Sequence, residues 1–169
     1  TRKTMNGSTK LSLSVQYASN AKNLPTRQQF RRWVSVALEQ DVQMALRIVD
    51  EIEGRVLNLN YRGRDYATNV LTFVYDDTPP LLYADVVICA PVVAREAAEQ
   101  NKDELAHYAH LTIHATLHLQ GYDHEYESDA EIMEARETAL MKKLRYPAPY
   151  LVLDVKYWTV RKVATNPLC

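Results

Sequence analysis

All five histidines of this chain fall within the eighteen residues 107–124. His110, His114 and His118 are spaced by four, and His107 precedes His114 by seven. On a helix turning 100° per residue, these four share one narrow face. The stretch DELAHYAHLTIHATLHLQ has helical patterning and is followed by Gly121, a residue suited to the left-handed conformation that ends a helix. The chain must therefore be organised around a central helix that presents this face. His114 and His118, at i and i+4, have the spacing by which one helix offers two imidazoles to one metal ion. A turn at Gly121 brings His124 back beside them. Three histidines leave a fourth coordination position for water, the open geometry of a catalytic site, whereas structural zinc sites are closed by four protein ligands. A lone helical histidine is more often a hydrogen-bonded or exposed residue, but the clustering makes His114, His118 and His124 the expected metal ligands. His110 is read as either a second layer behind the metal or a polar group facing substrate. His107 is expected at the surface.

The elements around this helix follow from periodicity. KLSLSVQYA (10–18) alternates Leu11, Leu13, Val15 and Tyr17 with polar neighbours, as a half-buried strand does. Thr26 caps a helix whose Phe30, Trp33, Val34, Ala37 and Leu38 form one apolar stripe. DVQMALRIVD (41–50) is a second strand with Val42, Met44, Leu46 and Ile48 on one face, and a short helix then carries Ile52, Val56 and Leu57. YRGRDYATN is a loop, and NVLTFVYDD and LLYADVVICA are two strands joined by a turn at DTPP. From Pro91 the period changes to that of helices: one over PVVAREAAEQNKDE, the histidine helix, and one opened by a capping box at Ser128 and Glu131 and running to about Leu144. Pro147 and Pro149 stop it. YLVLDVKYWTV is either a last strand or a docked tail.

Strands early, helices late and one hairpin between them predict an α+β domain: a small, mostly antiparallel or mixed sheet with helices on one side. At 169 residues and 47% hydrophobic content, residues 1–169 fit one domain with one sizeable core. Residues 1–9 are expected to be flexible and 150–169 to form a C-terminal extension. A net charge of −1 gives no bulk electrostatic reason to expect nucleic acid or membrane. There is no secretory signal pattern and no run of eighteen apolar residues. Cys89 sits in an apolar run and is expected in the core, with Cys169 as a free thiol, so neither a disulfide framework nor a cysteine metal site is indicated. A reducing compartment follows as the default.

The spacing H-x3-H-x2-G-x2-H over His114–His124 is that of the metzincin peptidases, a zincin-like arrangement. The second position of their motif is a glutamate acting as general base, and here it is Ala115. Asp123, Glu125 and Glu127 are nearby carboxylates, and spacing does not choose among them.

HATLHLQGYDH (114–124) resembles the H-G-x-L-H-L-x-G-Y-D-H signature of the YbeY endoribonucleases, the bacterial ribosomal-RNA maturation factors and their organellar relatives. LNLNYRGRDYATNVLTF (57–73) is similar to the family's L-N-x-x-Y-R-x-x-D-x-x-T-N-V-L-S-F segment, ADVVICAPVVAREA (84–97) to its G-D-I-x-I stretch, and EIMEARETALMKKL (131–144) to its closing helix. Likeness extends over roughly residues 42–150. Ala115 and Ala84 stand where the family usually has Gly.

The resemblance implies a zinc-dependent endoribonuclease acting on single-stranded, ribosomal RNA, with one ion on His114, His118 and His124 and with Arg62 facing the substrate. It also implies the ribosome or ribosomal proteins as partners and a cytoplasmic or organellar-matrix location. From the residues themselves, Arg55, Arg62 and Arg64 interleaved with Tyr61 and Tyr66 are suited to phosphate contacts and base stacking. Arg62, Arg64 and Tyr61 are the expected substrate contacts. Other divalent transition metals suit three imidazoles too. The competing readings are a ribosome-assembly or adaptor protein with a structural metal, and a peptidase that lacks its base.

Overall fold

Alternation along the strands decides what each face of the sheet can bury. In the computed structural model, which describes residues 9–123, 126–149 and the backbone of 158–161, Val42, Met44, Leu46 and Ile48 are buried on one side of a strand whose Gln43 is exposed. The elements in chain order are β1 (Leu11–Ala18), α1 (Arg27–Ala37), β2 (Asp41–Val49), α2 (Glu51–Arg62), β3 (Val70–Asp76), β4 (Leu81–Cys89), α3 (Ala90–Glu99), α4 (Glu104–Leu119), α5 (Glu127–Lys143) and β5 (Trp158–Arg161). The sheet order is β1-β2-β4-β3-β5. β1, β2 and β4 run parallel, β3 is antiparallel to β4, and β5 is parallel to β3. The fold is α+β with a mixed sheet.

The sequence pattern puts the helices on one side of the sheet, whereas they cover both. β4 explains why: Leu82, Ala84, Val86 and Ile88 are buried on one face, and Asp85, Val87 and Cys89 are buried on the other. A strand enclosed on both faces needs a cover on both. On the first face α1 and α4 form the larger core, with the Phe30 ring edge-on to Trp33 at 5.5 Å and to Tyr108 at 6.3 Å. The α1 end of this contact is fixed by a capping box in which Thr26 accepts from the Gln29 amide and Gln29 accepts from the Thr26 amide. On the second face α2 lays Leu57 and Tyr61 over Leu71 and Phe73. Gly54 permits that approach, since a Cβ there would lie 3.2 Å from Cys89 Sγ.

Three boundaries differ from the sequence pattern. α2 runs on through Tyr61 and Arg62 and ends at Gly63, whose φ of 68° is the left-handed cap, so two residues expected in a loop sit on a helix. α5 begins at Glu127 after Tyr126, with no side-chain cap, and Ser128 lies inside its first turn. Of the expected last strand, Trp158–Arg161 pairs with β3 and the residues before it lie outside those described, as do residues 1–8 and Cys169.

Cys89 is buried as expected, and burial pushes its thiol up to about 11. Because the raised value belongs to the folded state, stability is untouched below the ordinary thiol value of 9.0 and falls as pH rises from there toward 11. At pH 8 Cys89 should resist iodoacetamide in native protein and react in urea, as read by peptide mass spectrometry. Equal labelling in both would show that α2 does not seal it.

Candidate metal centre

α4 is buried almost all round, so its row of imidazoles is carried into the protein interior. Asp103 caps the helix by accepting from the Ala106 amide, which fixes where the row begins. His107, His110, His114 and His118 are all buried. For His107 this overturns the surface expectation: packing of α3 against α4 encloses it, and its Nε2 lies 3.0 Å from Glu96 Oε1. A buried ring needs a hydrogen-bond partner, and Glu96, a residue on α3, supplies one.

Two of the four rings are oriented by oxygens at Nδ1. His114 Nδ1 stands in direct hydrogen-bond contact with Glu137 Oε1, from α5. His118 Nδ1 donates to the Tyr122 carbonyl at 2.7 Å. A carbonyl can only accept, so the His118 proton is on Nδ1, and an ionised Glu137 sets the same tautomer in His114. In that tautomer Nε2 of each ring carries the lone pair, the atom that could bind a metal ion. The centroids lie 5.8 Å apart with a 34° tilt, close to the roughly 5 Å expected of two imidazoles sharing one tetrahedral ion. A carboxylate or carbonyl behind each histidine is the usual support of a metal site.

Electrostatics favour neutral imidazoles beside an ionised carboxylate. Burial lowers His114 to about 4, against the pull of the Glu137 carboxylate, so it is neutral at neutral pH. Burial lowers His110 as well. In Glu137 burial acts upward, but the His114 and His110 rings outweigh it and hold the carboxyl well below its ordinary range.

Among the described residues, His110, His114 and Glu137 form a buried group whose donor atoms lie within 4.8 Å of one another, close enough to hold a metal ion. Within it, Glu137 Oε1 touches His114 Nδ1 directly and lies 3.4 Å from His110 Nε2. The carboxylate thus ties the His110 and His114 rings together. His124, the third expected ligand, lies outside the described residues. The chain does turn back after α4: the Gly121 amide donates to His118 O and the Tyr122 amide to Leu117 O, with Gly121 at φ 112°.

Tyr61 and Arg62 lie in the last turn of α2 and Arg64 just after its Gly63 cap. Arg62, partly buried in the last turn of α2, donates from Nη1 to Asn58 Oδ1. Arg64 is exposed in the loop that follows, and Tyr61 packs edge-on against Phe73 at 5.3 Å. Arg55 is engaged by Asp65 in a two-pronged pair at 2.6 and 3.0 Å. Arg62 and the histidines therefore stand on separate elements.

Glu137 is the member of this buried group that the sequence pattern does not single out, although a signal is present. Met133, Leu140 and Met141 are the buried apolar residues described on α5, and Glu137 lies four residues after the first and three before the second. A carboxylate in the middle of an apolar stripe has to meet a partner inside. Ala115, at the position of the peptidase base, is buried in the larger core.

Residues 14–145 match the family model described as Endoribonuclease YbeY. Proteins named Endoribonuclease YbeY are similar over most of the chain. The one from Nitrosomonas eutropha is 54% identical over 140 residues, which is 83% of this chain and 99% of the relative. The one from Methylobacillus flagellatus is 57% identical over 141 residues, 83% of this chain and 94% of the relative. The one from Thiobacillus denitrificans is 57% identical over 141 residues, 83% of this chain and 96% of the relative. With a family model spanning most of its length and relatives at this identity, the chain belongs to the YbeY endoribonuclease family.

Proposed function

We propose that this protein is a metal-dependent endoribonuclease that hydrolyses phosphodiester bonds of single-stranded RNA in ribosomal-RNA maturation and quality control, working beside the ribosome in the cytoplasm. The observation that carries the reading is the pair His114 and His118, buried on one helix face with both Nδ1 atoms held by oxygens. That arrangement has little purpose in a core that needs only apolar packing, and it is what a metal ligand pair requires. His124 is proposed as the third ligand and zinc as the ion, because imidazole donors with an open position suit it. When bound, the ion supplies Lewis acidity toward a phosphodiester and toward water.

The chain's own groups do the remaining work. Glu137 and the Tyr122 carbonyl hold the protons on Nδ1 and keep the two rings from rotating. Arg62 is proposed to meet the phosphate: its planar fork can pair two phosphate oxygens, and partial burial with Asn58 limits its freedom. Arg64 and Tyr61 are proposed as further contacts along the strand. A peptidase reading is not favoured, since Ala115 offers no base. An adaptor with a structural metal is not favoured either, because an endoribonuclease family accounts for the same residues. Among the described residues no helix is long and apolar enough to cross a membrane.

End-labelled single-stranded ribosomal RNA, incubated with metal-quantified protein, should be cleaved by wild type and left intact by His118→Ala purified in parallel. Equal cleavage by both would point to a contaminant and end the nuclease reading. Arg62→Lys should bind metal normally yet cleave at least tenfold more slowly, in line with the loss of a bidentate phosphate contact worth about 1.5–3 kcal/mol. Wild-type cleavage by that variant would remove Arg62 from the site. For Glu137→Ala, zinc affinity measured by chelator competition should fall about 10–100-fold, and unchanged affinity would mean that the carboxylate does not orient His114.

A further inference from the structure

Beyond the metal face, α4 carries a second buried polar contact that the reaction as described does not use. Asn69, which precedes β3, is 2% exposed. Its Oδ1 accepts from the Val70 amide at 2.6 Å, and its Nδ2 donates to both oxygens of Glu96 at 3.0 and 3.3 Å. Its backbone carbonyl accepts from the Cys89 amide at 2.9 Å, which ties it to the end of β4. Glu96 Oε1 in turn lies 3.0 Å from Nε2 of His107. The His107 ring lies 6.4 Å from that of His110, and His110 lies 6.3 Å from His114. The last two share Glu137. One line of side chains, Asn69, Glu96, His107, His110, Glu137 and His114, therefore runs from the start of β3 to the metal-binding face.

We propose that Glu96 is a positioning residue for the metal centre: anchored by Asn69, it fixes the His107 ring, and so braces His110 and the Glu137 to His114 contact from the far end of α4. The inference rests on the metal reading of His114 and His118. Three features support it. Glu96 Oε1 meets both Asn69 Nδ2 and His107 Nε2 at 3.0 Å, and Oε2 lies 3.3 Å from the same Asn69 nitrogen, so an amide NH2 in place of Oε2 would set two donors against each other. Glu96 and Glu137 repeat the same relation, a carboxylate from a neighbouring helix on a histidine of α4. His107 also lines a cavity of 190 Å3, bounded by Lys102, Met141 and Pro149. Without Glu96 that space would give the ring room to swing.

Glu96→Gln tests this, with the exposed neighbour Glu99→Gln as control. Two readouts are needed: two-dimensional 1H–15N spectra of the imidazole nitrogens in metal-free protein, which report tautomer and ring environment, and zinc affinity by chelator competition. In Glu96→Gln the His107 and His114 signals should both change and zinc affinity should fall at least tenfold, by the usual effect of removing an outer support. In Glu99→Gln neither should move. His107→Phe keeps the ring and removes the hydrogen bond, and it should give the same affinity loss if Glu96→Gln does not fold. Wild-type zinc affinity in either variant, with the His114 signals unchanged, would overturn the proposal. If wild-type protein itself binds no zinc, the metal reading fails first, and the His114 spectrum of Glu96→Gln still decides whether the bracing exists.

Discussion

The structure depends on one buried contact, the Glu137 carboxylate against Nδ1 of His114. A charged group with no exposed surface is tolerated only where several donors meet it, and here two imidazoles do so. That requirement fixes the approach of α5 to α4, and with it the rotation of the His114 ring. The apolar neighbours of Glu137 on α5, Met133, Leu140 and Met141, supply the burial that makes the contact matter. Loss of either partner would leave the other stranded in a medium that does not solvate it.

The sheet serves the same end. β4 is enclosed on both faces and acts as the wall to which everything else is referenced: α1 and α4 stack on one side, α2 on the other. The end of α4 is held as firmly as its start. Gln120 accepts from the Glu39 amide at 2.6 Å and donates to Ala37 O at 2.8 Å, joining the last turn of α4 to the end of α1. The histidine face thus sits on a helix gripped at both ends, which suits groups that must keep a fixed geometry. Sequence likeness to YbeY endoribonucleases covers the same stretch, from within β1 to just past α5.

Much of this was legible before any coordinates. Alternation gave β1 and β2, and the apolar stripe with Thr26 gave α1. The four-residue spacing placed the histidines on one face. What failed did so for identifiable reasons. Tyr61 and Arg62 read as loop because Gly63 and Asp65 follow, yet helix α2 continues to Arg62 because Tyr61 packs on Phe73 across the sheet. Ser128 and Glu131 have the spacing of a cap, but the N-cap is Tyr126, two residues earlier, and α5 starts at Glu127. Local spacing does not reveal that His107 is buried, because its partner Glu96 lies on another helix.

By itself the sequence determined periodicity, the helix face on which the imidazoles stand and the glycine at which that helix stops, because these are set by neighbours a few residues apart. Tertiary structure alone decided which carboxylates meet the histidines: Glu137 is 23 residues from His114 and Glu96 is 11 from His107. Neither pairing follows from local spacing. They follow from the exclusion of water, which leaves each buried charge and each buried ring nitrogen to find its partner wherever the packing of helices on the sheet brings one.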